Sequence, residues 1–291
     1  LFRSGAIKIA EVTKQGNRMA VNSLGIAELP NQSLDAGEML RNEAIIASVR
    51  AALRSMKTSC RFATVGVGGR NVYSREISLP AGMNEKEMKE AIKWDSDQYV
   101  PYAPGSYYYD FSVIGPATSE NELKVLLVAT PKEQVEAIQQ LCKEVELHLV
   151  AVDFEALALL HSLQGIKNAL VIDIGSYACQ VTVFQESSPV VARTIPIGGA
   201  QFTETIARAL QLEFNDAEQK KIKERNWLVK ERLQETGVAL EAYLQLELLI
   251  EELAREIQRT TEYYQMQNRE LTIDRVVLTG GGSNLPRLDT H

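Results

Sequence analysis

The residues with the clearest chemical potential are Asp173, Gly175 and Ser176, at the end of the apolar run 169–174. A turn that contains Gly lets several backbone N–H groups converge on one point, and such a point can hold phosphate without a large side chain. A carboxylate at the mouth of the turn can hold a water molecule of a Mg²⁺ ion that bridges phosphate oxygens. An ordinary hairpin with an Asp-stabilised turn would have the same sequence, so both interpretations stay open.

A second candidate is the Gly-rich turn that follows the short apolar run 275–279. It consists of Gly280, Gly281, Gly282 and Ser283. Three glycines after a strand let a flat ligand lie against bare backbone, and the helix that we expect next would favour an anion at its N-terminus. A flexible turn before a helix is the competing interpretation.

Glu218 and Lys221 form the third candidate, three residues apart early in a predicted helix. A carboxylate and an ammonium group at this spacing can hydrogen-bond ribose hydroxyls and purine edges. Such pairs are more often exposed contacts between neighbouring helical turns, and we regard that as the more frequent reason for the spacing.

The elements that must position these residues follow from hydrophobic periodicity and turn signals. The first half opens with a hairpin around Gln15–Asn17, and the second half opens with another at 169–184. This indicates a faint internal duplication. The predicted strands are 6–12, 19–29, 62–67, 107–113, 123–129, 147–152 (buried), 169–175, 180–184, 190–197 and 275–279 (buried). The predicted helices are 38–56, one after the capping box Asn84/Glu87, 133–144, 153–163, 201–212, 216–235 and 239–268.

Composition limits the function classes. The 291 residues suggest about two domains, and 31 Lys+Arg against 38 Asp+Glu give a net charge of −7. Nucleic acid is therefore not expected as a general partner, because phosphate binding needs a basic surface. No run approaches the ~20 apolar residues of a membrane span, and no signal peptide is visible. The three cysteines have no CxxC spacing, so we expect neither a disulfide framework nor a thiolate metal site in a cytosolic protein.

The order and spacing of the three candidates resemble the second half of an actin/Hsp70-type nucleotide-binding fold. That family has a counterpart phosphate loop in its first half, D-x-G-S-G-x-x-K. Here Ser4, Gly5 and Lys8 match this loop, whereas Leu1 and Arg3 stand where Asp and Gly are expected. Either residues at this end are altered or missing, or the loop has lost its metal-directing carboxylate. The resemblance therefore implies ATP binding with Mg²⁺ at Asp173 through water, and at most slow ATP hydrolysis.

The middle of the chain resembles the PilM family of actin-like type IV pilus assembly proteins, and the resemblance continues over essentially the whole chain. The segments that carry it are 77–80, 91–94, 98–102, Asp110, 126–131 and 152–153. The implied fold is α/β, an actin-like two-domain ATPase fold. The implied first domain is 1–168, with an inserted α+β subdomain at about 59–150. The implied second domain is 169–291, with a helical subdomain at about 215–250.

The resemblance also implies partners and a location. Family members bind the N-terminal cytoplasmic tail of PilN in a groove beside the inserted subdomain, and they contact pilus assembly ATPases at the cytoplasmic face of the inner membrane. We therefore expect a cytoplasmic protein that meets the membrane only indirectly. Tyr99, Tyr102 and Tyr107, in a cluster of tyrosines near prolines, are the candidate contacts for the tail, whereas core packing explains Trp94 adequately.

Two other classes remain open. A sugar-kinase-like enzyme of the same fold would need an Asp general base and an acceptor pocket, and the first half offers no candidate motif for them. A filament-forming, FtsA-like protein would need an amphipathic membrane helix in a terminal tail. The chain starts without Met and stops just after a Gly-rich turn, so we expect the polypeptide to extend further.

Overall fold

The structure, a computed structural model, describes residues 5–16, 18–29, 43–69, 71–117, 119, 121–163, 165–186, 188–224, 227–228, 240–267 and 272–290. The chain divides into two compact units, Leu1–Gln164 and Gly165–His291. The elements of the first unit are β1 (Ala6–Gln15), β2 (Arg18–Glu28), α1 (Glu43–Met56), β3 (Phe62–Val67), β4 (Tyr73–Pro80), α2 (Glu85–Trp94), α3 (Ser96–Tyr99), β5 (Tyr107–Pro116), β6 (Glu122–Pro131), α4 (Lys132–Glu144), β7 (His148–Phe154) and α5 (Glu155–Ser162).

The first core of this unit lies under two separate two-stranded sheets. β1 and β2 form the predicted antiparallel hairpin, and β3 pairs with β7 in parallel. Helices α1 and α4 pack on one side of these strands, with Ile45, Ala52 and Ile138 among their buried residues. Gly25 allows the close approach of β2 to α1, because a Cβ there would lie 2.6 Å from the Ala52 carbonyl oxygen.

A second core in the same unit belongs to the antiparallel sheet β4-β6-β5 and helix α2. The predicted capping box begins α2: the Asn84 side chain accepts from the backbone of Lys86 and Glu87, and Glu87 accepts from the Asn84 N–H. This core uses residues between β4 and β6 only. β3 and α4, which lie inside the expected bounds of the inserted subdomain, pack into the first core instead, and so does β7, which begins at the end of those bounds.

The second unit has one four-stranded sheet in the order β10-β9-β8-β11. Its elements are β8 (Ala169–Ile174), β9 (Cys179–Gln185), β10 (Ser188–Ile195), α6 (Gly199–Leu210), α7 (Phe214–Lys223), α8 (Leu240–Gln267) and β11 (Arg275–Thr279). β11 is parallel to β8, and the other pairs are antiparallel. Buried residues of α8 at helical spacing, among them Leu246, Ile250 and Leu253, close the core as their periodicity predicts.

Several sequence-based predictions differ from the structure. Trp94, expected in a core, is 90% exposed, and Val150 in the expected buried strand β7 is 66% exposed. Strand β11 is also only partly buried. Val150 is exposed because it is the extra residue of a β-bulge: Ala63 pairs with Leu149 and Thr64 with Ala151, so Val150 has no partner on β3. The part of the predicted helix 216–235 that the structure describes as helical ends at Lys223, and residues 229–239 lie outside the described ranges.

The α-helix expected after the Gly-rich turn is absent from the described residues. A short 3₁₀ turn, Gly281–Asn284, stands there. Pro286 explains this, because proline lacks an N–H and disfavours helical geometry at the residue before it. The α-helix N-terminus that we expected to favour an anion is therefore not found at this position in the described residues.

Within the described ranges, no helix combines the length and the apolar composition that crossing a membrane requires.

Candidate functional site

The turn after β8 is joined directly to the start of α6. Gly175 donates its N–H to the Ala178 carbonyl (2.9 Å), which closes the turn. The carbonyl oxygens of Gly175 and Ser176 accept hydrogen bonds from the N–H groups of Gly199 (2.9 Å) and Ala200 (2.7 Å). A Cβ at Gly198 would lie 2.7 Å from these backbone atoms, so only glycine allows the contact. Gly198 and Gly199 are not among the residues predicted from the sequence, although a Gly-Gly pair after a strand is a detectable signal.

The Gly-rich turn after β11 packs against the end of β8. Gly280 has φ +86°, and a Cβ there would lie 2.4 Å from Asp173 Oδ1 and from the Ile174 carbonyl oxygen. Gly282 makes an equally close approach to the Ile174 side chain. Because Gly282 also lies near Gly199, the two predicted turns and the start of α6 meet at one point.

Glu218 and Lys221 lie at this same point. Lys221 Nζ donates to the Gly199 carbonyl (3.0 Å), to Thr203 Oγ1 (2.6 Å) and to Glu218 Oε2 (2.6 Å). The Thr203 hydroxyl also contacts Glu218 Oε2 and is completely buried. The pair is therefore not an exposed contact between helical turns: it ties α7 to the first turn of α6, and 14% of the Lys221 side chain is accessible.

Two oriented groups at the site remain open to a ligand. Glu218 contacts Thr203 and Lys221 through Oε2, and 36% of its side chain is accessible, so Oε1 can accept from a ligand hydroxyl. A Cβ at Gly281 would meet nothing within 4 Å, so this backbone borders open space. The N–H groups of Gly198, Gly199 and Ala200 are already bonded within the protein. A ligand can therefore lie against the 3₁₀ turn, whereas these N–H groups at the start of α6 are already used.

Tyr177 is a further residue of the site, and it is not among the residues predicted from the sequence. It lies in the turn after β8, and burial together with the negative charges of Glu204 and Glu218 raises the pKa of its phenol. The neutral phenol is therefore the form present at neutral pH, and it borders the same acidic side of the site as Glu218.

Three of the predicted nucleotide ligands belong to the first unit: Ser4, Gly5 and Lys8. The Gly5 carbonyl accepts from the Leu29 N–H (2.9 Å), and Lys8 is exposed on β1. Ser4, Leu1 and Arg3 lie outside the described residues. Among the residues that the structure describes, no group of three or more His, Cys, Asp or Glu side chains is arranged to hold a metal ion.

The tyrosines near the prolines divide into core and surface residues. Tyr107 is buried, and its ring lies 6.1 Å from that of Tyr102 and 6.2 Å from that of Tyr109. Tyr99 and Tyr102 are partly buried against the same core. Tyr108, which was not predicted to contact the tail, is 46% exposed, and Lys132 Nζ lies 5.4 Å from the centre of its ring.

Burial of Tyr102 predicts a dependence of stability on alkaline pH. Burial raises the pKa of its phenol above the usual 10.0. In the unfolded chain the phenol loses its proton first, so stability falls as pH rises from 10 through the folded-state pKa. We expect the free energy of unfolding to fall less steeply above pH 10 for Tyr102→Phe than for the parent. Urea titrations at about pH 8 and above pH 10 measure this, and identical slopes for the two proteins would contradict it.

Comparisons with known proteins agree with the resemblance described above. The family model of the type IV pilus assembly protein PilM matches residues 2–291. A solved PilM–PilN type IV pilus biogenesis complex is 25% identical with a TM-score of 0.82, and the match covers 99% of this chain and 82% of that chain. The ethanolamine utilization protein EutJ from Carboxydothermus hydrogenoformans is 21% identical (TM-score 0.41, 53% and 51% covered). MreB5 of Spiroplasma citri bound to ADP is 17% identical (TM-score 0.44, 92% and 70% covered).

The prediction of an α/β, actin-like fold of two domains is confirmed, and so is the predicted family. The match to the family model spans the first unit, with its two cores, and the second unit, with its Gly-rich turns. The chain belongs to the PilM family of type IV pilus assembly proteins.

Proposed function

We propose that this protein is an ATP-binding scaffold of the type IV pilus inner-membrane assembly complex, and that it binds the N-terminal cytoplasmic tail of PilN. The observation that carries the nucleotide part is that two glycine turns meet the start of α6 at Gly199, beside the carboxylates of Asp173 and Glu218. A site of this kind combines bare backbone for phosphates with an acceptor for hydroxyl groups.

The residues of the second unit fit ATP and Mg²⁺ in their chemistry. The backbone of Gly281 borders open space, which suits a phosphate, and Ser283 lies in the same 3₁₀ turn. Asp173 is a single carboxylate next to this turn, and Mg²⁺ is commonly held by one carboxylate through its retained waters. Glu218 Oε1 is the proposed acceptor for a ribose hydroxyl. Bound Mg²⁺ would neutralise phosphate charge; the protein groups would orient the nucleotide. Five further ligand residues are proposed from the family resemblance alone: Ser4, Gly5, Lys8, Gly175 and Ser176.

Turnover of ATP is expected to be slow. Asp173 is the one carboxylate that we assign to the metal, and positions 1 and 3 hold Leu and Arg where the related phosphate loop has Asp and Gly. We expect binding of Mg-ATP with a steady-state rate of phosphate release far below the ~10 s⁻¹ typical of enzymes. Titration calorimetry measures the binding, and a coupled phosphate assay on the same preparation measures the rate. A rate near 10 s⁻¹ would contradict the scaffold role.

The partner proposal has two supports. The first is the solved relative with a TM-score of 0.82, which is a PilM–PilN complex. The second is the sheet β4-β6-β5, whose outer strands β4 and β5 each pair on one side only within the described residues. An extended tail can pair with such an edge and place alternate side chains in pockets. We propose that Tyr99 and Tyr102, which keep part of their surface exposed, contact the tail, with Tyr107 supporting them from the core.

Substitution of Tyr102 tests this assignment. One aromatic anchor is typically worth about 2 kcal/mol, so Tyr102→Ala should lower the affinity for a PilN-tail peptide by more than about tenfold. Tyr102→Phe keeps the ring and should lose less, which makes it the matched control. Thermal stability is measured on the same samples, because Tyr102 also packs against Tyr107. A stable Tyr102→Ala protein that binds the peptide normally would move the tail to another surface.

The location and the remaining partners follow from the same proposal. A protein held by a tail of an inner-membrane protein would lie at the cytoplasmic face of that membrane, where pilus assembly ATPases can reach it. Fractionation of cells with and without PilN tests this. The protein should move from the membrane fraction to the supernatant when PilN is absent, and retention in the membrane fraction without PilN would argue against it.

A further inference from the structure

Helix α8 carries a row of leucines on the face that is turned away from the core. Leu240, Leu244 and Leu248 are 53%, 44% and 62% exposed, whereas Leu246 and Ile250 lie in the core of the second unit. Residues four positions apart lie about 40° from each other around a helix, so the three leucines follow one another along about 12 Å of its surface. We call this row the leucine stripe. A contiguous apolar patch of this kind marks an interaction site, whereas a single exposed leucine is ordinary.

Every charged residue of α8 beside the leucine stripe is acidic. Residues 240–252 include Glu241, Glu247, Glu251 and Glu252, and no Lys or Arg. By helical rotation Glu247 lies on one side of the stripe, and Glu241 and Glu252 lie on the other. Arg255 is 3.7 Å from Glu251, but more than half of each side chain is exposed, so this pair offsets little of the negative charge. The face is therefore apolar along its middle and negative on both sides.

This charge pattern decides which kind of partner fits the leucine stripe. A second copy of the chain that used the same face would place glutamates opposite glutamates, and like charges brought together oppose association. An anionic membrane surface would repel the same carboxylates. A protein segment with Lys or Arg on both sides of an apolar row would be attracted to them. The charge thus selects a basic partner.

The geometry of the leucine stripe selects a helix. Residues spaced by four form one of the ridges of a helix surface, and such a ridge fits into the groove between two ridges of a second helix. An extended segment would gain no backbone pairing from α8, because the N–H and C=O groups inside a helix bond to each other. The stripe is little more than two turns long, so the partner helix crosses α8 at an angle and does not lie along its whole length.

We propose that the leucine stripe and the glutamates beside it are the docking site for a basic amphipathic helix of another protein. Apolar residues of that helix cover Leu244 and Leu248, and its Lys or Arg side chains lie beside Glu241, Glu247 and Glu252. The contact is small, so we expect dissociation constants on the order of micromolar at low salt. The site shares no residue with the proposed nucleotide site or with the tyrosines proposed for the PilN tail, and the inference depends on neither.

A designed peptide tests the proposal. The probe is a fluorescein-labelled synthetic helix of about 15 residues, with leucine at every third or fourth position and lysine at the others. The 291-residue protein is titrated into it, and fluorescence anisotropy measures binding. We expect saturable binding that weakens as salt is added, because salt screens the flanking charges. Two control peptides should not bind: one has glutamate in place of lysine, and the other has the same composition in an order that gives no apolar face.

Two matched pairs of variants localise the binding. Leu248→Gln should weaken it at least about tenfold, because a polar amide replaces apolar surface that the peptide covers. Met266→Gln should leave it unchanged, since Met266 is 73% exposed on the same side of α8 but lies roughly five turns further along. Glu252→Gln should weaken binding at low salt only, whereas Glu262→Gln, which changes the net charge equally, should have no effect. All four side chains are exposed, so the melting temperature should stay that of the parent.

Several results would overturn the proposal. Equal affinities of Leu248→Gln and Met266→Gln would mean that the peptide adsorbs to the acidic surface in general, and so would binding of the scrambled peptide. Absence of saturable binding, or equal binding of the acidic peptide, would remove the basic helix as the partner. A dimer that Leu248→Gln dissociates in sedimentation velocity would identify a second copy as the occupant. A lower melting temperature of Leu248→Gln would show that the stripe is covered within the chain.

Discussion

Gly281→Val should strongly weaken nucleotide binding and leave the fold intact. A Cβ at Gly281 meets nothing within 4 Å, so the free protein has room for the new side chain. The same space is where we propose that the nucleotide lies against the backbone. We expect the affinity for Mg-ATP to fall by at least about 100-fold, equivalent to about 2.8 kcal/mol, with an unchanged melting temperature. Titration calorimetry and a thermal melt on one sample measure both quantities.

Two neighbouring variants make this result specific. Gly281→Ala adds one methyl group to the same position and should lose an intermediate amount of affinity. Gly280→Ala should instead destabilise the fold, because its Cβ would lie 2.4 Å from Asp173 Oδ1 and the residue has a positive φ. Normal ATP affinity in a folded Gly281→Val protein would show that the ligand does not lie against this turn.

Lys221→Met should lower both stability and nucleotide affinity. The substitution removes all three hydrogen bonds of the ammonium group and leaves the Glu218 carboxylate without its counter-charge. Because Glu218 keeps about a third of its side chain accessible, we expect a loss of about 2 kcal/mol, below the 3–5 kcal/mol of fully buried pairs. Affinity for ATP should fall as well, because Gly199 then loses its contact with α7. Urea unfolding and calorimetry measure the two effects.

The control is a pair with the same charges and no burial. Lys167 and Glu186 lie 3.6 Å apart with about 70% of each side chain exposed, so Lys167→Met should cost well under 1 kcal/mol. Combining Lys221→Met with Glu218→Gln should restore part of the lost stability, since the carboxylate left without a partner is then neutral. Equal losses in Lys221→Met and Lys167→Met would mean that the Glu218–Lys221 pair behaves as a surface contact.

The local elements of this protein could be predicted from the sequence because their causes are local. The turn at Gln15–Asn17 predicts the hairpin of β1 and β2, and Asn84 with Glu87 predicts the start of α2. The apolar spacing in α8 predicts the face that is buried. In each case the residues that decide the structure are separated by a few positions, and their geometry is that of one turn, one cap or one helix.

Only the family resemblance predicted that the candidate residues lie together at one site. The contacts between them could be determined only from the tertiary structure. Glu218 and Lys221 have the spacing of an ordinary exposed pair, and only the packing of α7 against the start of α6 brings Lys221 to Gly199 and Thr203. Gly198 and Gly199 gain their importance from backbone atoms more than twenty positions away, at Gly175 and Ser176. Hydrogen bonds of this kind depend on which turns come into contact in the folded chain, and a local sequence pattern does not predict such contacts.

Burial of individual aromatic residues was likewise decided by the tertiary structure. The sequence itself determined that Trp94 lies on an amphipathic helix and that Tyr107 and Tyr108 lie on a strand. It did not determine which side of each element would be covered. Trp94 is exposed because it lies two residues, or about 200° of helix rotation, from Ile92, on the face of α2 opposite to the buried Met88 and Ile92. Tyr107 is buried and Tyr108 exposed because neighbouring residues of a strand face opposite sides, and only the packing of α2 against β4-β6-β5 decides which side becomes the core.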